Sequence, residues 1–294
     1  MLYCFQEKCG AEAGVEVLTN KKARGNETIL FLQLIGRYMN MKKTVRWDNL
    51  TAPQLAALAE ENAVVLLPTG STEQHGPHLP VGCDAILATW FAERAAAGLL
   101  EKGVPAVVAP TFAIANSMHH MHFPGSLSLH PRTYMQTLEE QCAAIASHGF
   151  RRIAIINGHG GNTAPTKAAL VDINLRLGFP VYFMDYIVVD EAPFLESQKG
   201  MNHACESETS LMLAYDETLV DPIYRETRGN PNDCTVYEDQ GLISTFHRME
   251  AHTENGVMGN SYLATKEKGQ ALAEATTRKL VEILSDEHIW GLPV

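Results

Sequence analysis

The residues best suited to chemistry fall in four short stretches. Gly70 to Asp84 reads GSTEQHGPHLPVGCD, with Glu73, His75, His78 and Asp84 set among glycines and prolines directly after the apolar run AVVLLP. A second stretch, ANSMHHMHFPGSLSL, carries His119, His120 and His122. A third, GHGGN, carries His159 beside Gly160 and Gly161, and a fourth, NHACESET, carries His203, Glu206 and Glu208. Imidazole combined with carboxylate suits Zn, Mn or Fe rather than Ca. Each residue alone has a structural use. Asp84 could cap the helix that follows it, worth about 1 kcal/mol. His159 could occupy a glycine turn, and Glu206 and Glu208 could complement a helix N-terminus. Gathering so many carboxylates in one crevice is costly without a cation, because each disfavours ionisation of the others.

The spacing says more. In an extended segment Glu73 and His75 point to the same side, so they can reach two neighbouring ions, with Asp84 as a bridge. Two divalent ions about 3.5–4 Å apart activate water and polarise a carbonyl. The glycines around His159 allow close approach of the backbone and supply amide donors to an oxyanion. His75 and His159 are better placed as ligands than His78, which would line the entrance.

The elements that must position these residues alternate. APQLAALAEEN reads as an amphipathic helix, AVVLLP as a strand and DAILATWFAERAAAGLLEKG as a helix ending near Gly103. PAVVAPTFAI is the next strand. PRTYMQTLEEQCAAIASHG is a helix with Pro131 at its start and Gly149 at its end. RRIAIIN, APTKAALVDINLRLG and PVYFMDYIVV continue as strand, helix and strand, and ESETSLMLAYD and ATKEKGQALAEATTRKLVEILSDE as helices. Continuous apolar strands between helices argue for an α/β three-layer sandwich, a mainly parallel sheet with helices on both faces. Ligands of such sheets collect at the carboxyl ends of the strands. All four stretches lie in loops that follow strands.

The chain has 294 residues and a formal net charge of −11. That acidity, without a basic stripe, argues against nucleic acid and for a small-molecule substrate. The six cysteines show no CxxC spacing and point to a reducing, cytoplasmic setting. No apolar run reaches the roughly 18 residues of a membrane span. Residues 1–40 read as an N-terminal extension and 41–294 as the folded domain that carries all four stretches, starting near Met41.

GSTEQHGPHLP…D, HFPGSLSL, NGHGGN and HACESET, in this order, together resemble the creatininase (creatinine amidohydrolase) family over roughly 250 residues from about Thr44. The resemblance implies a layered α/β fold, two divalent metal ions (Zn, Mn or Fe), hydrolysis of amide or related bonds, and a homo-oligomer, a hexamer built from dimers. By position it implies that Glu73 binds one metal together with His159, that His75 binds the other, that Asp84 bridges them, and that His203 shuttles a proton. Creatininase has a tyrosine and a glutamate ligand where this chain has Gly160 and Gly161. Glu206 is expected to replace that ligand and to serve, if it does not, as a proton donor. Glu208 and His122 are expected around the substrate. Creatininase also closes over its ligand with tryptophans, and Trp47, Trp90 and Trp290 lie outside those positions, where Lys199 and the Tyr186–Ile187 region stand. A cyclic amide other than creatinine is therefore expected, with ring opening of a cyclic diketone by carbon–carbon cleavage as the alternative. Cys205 lies close enough to be a nucleophile, although metal-activated water makes one unnecessary.

Overall fold

The computed structural model describes residues 45–197, 200–230, 243 and 245–294. The readings made for residues 1–40, Met41, Lys199, Cys4, Cys9 and Cys234 lie outside them.

Four apolar runs become strands: β1 (Val64–Thr69), β2 (Ala106–Val108), β3 (Arg152–Asn157) and β4 (Val181–Asp185). They pair in parallel in the order β2-β1-β3-β4. β2 is shorter than its apolar run because Pro110 brings no N–H to the ladder. The helices are α1 (Ala52–Glu60), α2 (Cys83–Glu101), α3 (Pro131–Ser147), α4 (Thr163–Leu177), α5 (Glu206–Asp216), α6 (Lys266–Leu284) and the short α7 (Glu287–Trp290). Local signals set their ends. Thr51 and Gln54 form a capping box on α1. Pro131 opens α3, and Gly178 closes α4 at φ 71°, a left-handed conformation that suits glycine. α2 begins one residue earlier than its sequence pattern, so Asp84 sits inside the first turn and does not cap it.

Side chains alternate across the sheet. Val64, Leu66, Ala154 and Ile156 share a core with Leu87 and Phe91 of α2, Leu211 of α5 and Leu280 of α6. Val65, Leu67, Ile153 and Ile155 are equally buried on the opposite face, the side taken by α3 and α4. There Tyr134 stacks on Phe112 and shares a hydrogen bond with Thr166 at 2.7 Å. Each fully buried side chain of this size contributes roughly 1.5–3 kcal/mol. Among the described residues no helix is long and apolar enough to cross a membrane.

The strand order turns around between β1 and β3, and the crevice at their carboxyl ends is where such a sheet binds ligands. Two glycines bring those ends against α2. A Cβ at Gly70, just past β1, would lie 2.4 Å from the Ala85 nitrogen; one at Gly158, just past β3, would lie 2.4 Å from the Asp84 carbonyl oxygen. Main chain from both strand ends therefore packs against the Asp84–Ala85 peptide.

Candidate metal centre

Loops from β1, β2 and β3, the start of α2 and the start of α5 converge on this crevice. Glu73, His75, Asp84, His120, His159 and Glu208 are all buried within it. The Nδ1–H of His75 donates to the Glu73 carbonyl oxygen at 3.1 Å. That leaves Nε2 facing two carboxylates, Asp84 Oδ1 at 2.9 Å and Glu208 Oε1 at 3.9 Å. A neutral imidazole would point a lone pair at both, so a proton or a metal cation must stand between them. A ring N–H anchored on a carbonyl is also the usual arrangement of a metal-ligating histidine.

Asp84 reaches the other way as well, with Oδ2 3.0 Å from His159 Nδ1. His159 Nε2 lies 3.3 Å from Glu73 Oε2, which also accepts from Ser117 Oγ at 2.5 Å. Glu73 Oε1 stands 3.2 Å from His120 Nε2 and 3.5 Å from His203 Nδ1. Three overlapping groups could each hold a metal ion: Glu73, His75 and His203; Glu73, His119 and His159; His75, Asp84 and Glu208. Glu73 Oε1, His75 Nε2 and Asp84 Oδ2 are buried without a hydrogen-bond partner, and such polar atoms are expensive to leave unpaired. The donor set and these orphaned atoms together fit divalent cations of the Zn, Mn or Fe type.

Electrostatics follow from the crowding. Burial, reinforced by Asp84 and opposed by His159, pushes Glu73 up to about 7. Burial alone would lower His159, but Glu73 and Asp84 outweigh it and raise it to about 9. Burial alone would raise Asp84; His75 and His159 hold it well below the usual carboxylate range. His203 is pushed well below the usual imidazole range by burial and by its neighbour His75.

Glu206 and Glu208 lie elsewhere than the sequence suggested. α5 begins at Glu206, so His203 precedes the helix and the three-residue spacing does not place it on one face with Glu206. Two residues apart on a helix means about 200° of rotation. Glu208 therefore faces the crevice, with Oε2 accepting from the Ala204 N–H at 2.5 Å. Glu206 faces away: its carboxylate accepts from Lys268 Nζ of α6 at 2.7 Å and from the backbone N–H groups of Glu196 and Ser197. Glu206 is fully buried, and the Lys268 side chain is only 17 % exposed. Removing the cation from such a pair leaves an uncompensated buried charge, typically at a cost of about 3–5 kcal/mol. Lys268→Met is expected to destabilise the protein by about 3 kcal/mol in urea denaturation, the low end of that range, with metal content equal to wild type. A lower metal content would return Glu206 to the centre.

His122 is also displaced. Its side chain is 64 % exposed and pairs with Glu250 at 3.7 Å, whereas the tight turn Met118–His120 turns His119 and His120 toward the crevice. All three histidines were visible in one loop, but nothing in the residue order says which way a three-residue turn will face. Gly160 and Gly161 do line the cavity, which has a volume of about 560 Å³. His203 lines it too; its Nε2–H donates to the Gln74 carbonyl oxygen at 2.7 Å. Cys205 is fully buried, and burial, with Glu208, pushes its thiol up to about 12, which makes it a poor nucleophile.

Comparison with known proteins bears on the family and the fold. The family model for creatinine amidohydrolase matches residues 48–284. The mycofactocin precursor peptide peptidase of Mycobacterium tuberculosis is 35% identical over 218 residues, 72% of this chain and 80% of that protein. The 3-dehydro-scyllo-inosose hydrolase of Thermotoga maritima is 31% identical over 271 residues, 82% of this chain and 83% of that protein. A manganese form of creatininase superposes with a TM-score of 0.70 at 27% identity, covering 84% of this chain and 99% of creatininase. A Zn–Zn form of a creatininase mutant matches equally well, with a TM-score of 0.70. With its α/β fold and this cluster of histidines and carboxylates, the chain belongs to the creatininase family of hydrolases.

Proposed function

We propose that the protein is a hydrolase of two divalent metal ions that cleaves an amide C–N bond of a small, cyclic substrate other than creatinine. One observation carries this reading: three buried ligand atoms, Glu73 Oε1, His75 Nε2 and Asp84 Oδ2, lack hydrogen-bond partners, and Glu73 and Asp84 line the cavity. Glu73 and His159 would hold one ion, His75 and Glu208 the other, and Asp84 would serve both. Glu208 thus takes the place first expected of Glu206. When bound, the ions lower the proton affinity of water and polarise a carbonyl.

The remaining roles fall to the protein. His203, kept neutral by burial, accepts a proton at Nδ1 while its Nε2–H stays anchored on the Gln74 carbonyl. It then returns that proton to the leaving nitrogen. Glu206 has no part in this transfer, because Lys268 holds it away. Tyr186, Ile187, Val189, Met201 and Met249 wall the cavity, and the tryptophans are engaged elsewhere: Trp47 on Phe150, Trp90 on Phe91 and Trp290 on Tyr182. Among the described residues no tryptophan lines the cavity, which speaks against creatinine. A second reading, ring opening of a cyclic diketone, is favoured by the inosose hydrolase relative and by Asn157, Thr163, Asp185 and Asn202 in the wall, which suit hydroxyl groups.

The test is a screen of the protein reloaded with Zn, Mn or Fe against cyclic amides and inosose-like ketones. Formation of a new amine, carried on the ring-opened product or released from it, in dependence on added metal is the expected result. A ring-opened acid without amine supports the second reading, and no turnover with any metal on either panel overturns both. Assembly as a homo-oligomer and a cytoplasmic location belong to the same proposal; the sedimentation coefficient checks the first.

A further inference from the structure

The loop after β2 brings one more imidazole to the cavity. His119 is half-buried on the cavity wall, its ring stacked on that of His159 with centroids 5.5 Å apart and planes 14° apart. Among the described residues its ring nitrogens make no hydrogen bond and no ion pair. A polar ring placed against buried carboxylates without a partner of its own calls for an explanation.

Its surroundings supply one. A ring nitrogen of His119, a carboxylate oxygen of Glu73 and a ring nitrogen of His159 all lie within 4.8 Å of one another. The second group, His75, Asp84 and Glu208, is equally close and shares no residue with the first. Catalytic sites of this kind commonly use three protein ligands and keep a further position open. If Asp84 is divided between the two ions, Glu73 and His159 are the only undivided ligands of theirs, and His119 makes a third. Gly161 keeps the space for it. A Cβ at position 161 would lie 2.9 Å from His119 Cε1, 2.4 Å from His159 Nε2 and 2.6 Å from the Asn116 carbonyl oxygen. A side chain there would have to displace the imidazole.

We propose that His119 is a ligand of the cation held by Glu73 and His159. The inference rests on the two-cation reading above, and the experiment separates the two. The full chain is stripped with a chelator and titrated with Co2+, following visible absorption and competition against a chromophoric chelator. Wild type reports on the two-cation reading and is expected to take up two equivalents; fewer overturns that reading and this one together. His119→Ala is expected to weaken one of the two equivalents by at least about 10-fold, the loss typical of altering even an outer partner of a metal site, and to change the cobalt d–d bands of that equivalent only. His119→Gln, closer in size, serves if the alanine variant does not fold. Two equivalents bound within about two-fold of wild type with unchanged cobalt bands overturns the assignment, even if turnover falls, because a side chain that acts only on substrate would leave both the affinity and the metal spectrum alone; weakened binding with unchanged bands overturns it too, since that is the loss of an outer partner and not of a ligand.

Discussion

Asp84→Asn is expected to slow turnover at least ~10³-fold, a loss of roughly 4 kcal/mol of transition-state stabilisation, while the protein stays folded. Asp84 is the one carboxylate in contact with both halves of the centre, 2.9 Å from His75 Nε2 through Oδ1 and 3.0 Å from His159 Nδ1 through Oδ2. Asparagine keeps the shape but turns one of two acceptors into a donor, and removes the charge that offsets a pair of cations. The fold should survive because Asp84 lies in the first turn of a 19-residue helix whose apolar face is fully packed. Metal content by elemental analysis, kcat on the best substrate of the screen and a urea midpoint are the three readouts. Near-wild-type activity with two metals retained would remove Asp84 from its bridging place.

Chelation is expected to have the second-largest effect. A cation at ~1,000 times its Kd adds about 4 kcal/mol to stability, and 1 kcal/mol moves the Tm of a chain this size by about 2–4 °C. Stripping the protein should therefore lower Tm by roughly 10 °C per ion. The difference should also depend on pH. In the metal-free protein Glu73 titrates at about 7 and His159 at about 9, both above their ordinary values. A raised value means the folded state holds its proton more tightly than the unfolded chain. The resulting stability is complete at low pH and drains away as pH climbs through 7 for Glu73 and through 9 for His159. Cations need those same atoms without protons, so they bind more tightly over the same interval. The gap between loaded and stripped Tm should widen from roughly pH 6 to pH 9. Differential scanning fluorimetry with and without chelator measures it, and a gap that narrows would contradict the assignment of Glu73 and His159 as ligands.

Much of this was legible in the residues, for identifiable reasons. Glu73 and His75 announce themselves because an extended segment after an apolar strand sends alternate side chains to one side, and both side chains do reach the crevice. The parallel sheet follows from strands apolar on both faces, as Val64 to Leu67 show. The misplacements share a cause. Whether Glu206 or Glu208 faces the crevice depends on where α5 begins, since each residue turns the helix by 100°. Glu206 is drawn to Lys268, which lies 62 positions further along the chain, and no local pattern reveals so distant a partner. His122 and His120 are two positions apart in a loop whose turn is set by packing, so type and spacing alone could not rank them. The end of β2 at Val108 needed only Pro110, and the apolar run obscured it.

Gly70 and Gly158 have one more consequence. They seat Asp84 by contact of bare backbone on backbone, at the carboxyl ends of the two central strands. The wall around the substrate hangs from side chains instead: Glu191 accepts from the Met201 N–H at 2.6 Å, and Glu206 grips the N–H of Ser197. Catalyst and recognition surface are thus supported by separate means. Rewriting the wall can change what the enzyme accepts while the bond-breaking machinery stays in register, so new specificities in this scaffold can evolve without re-inventing the chemistry.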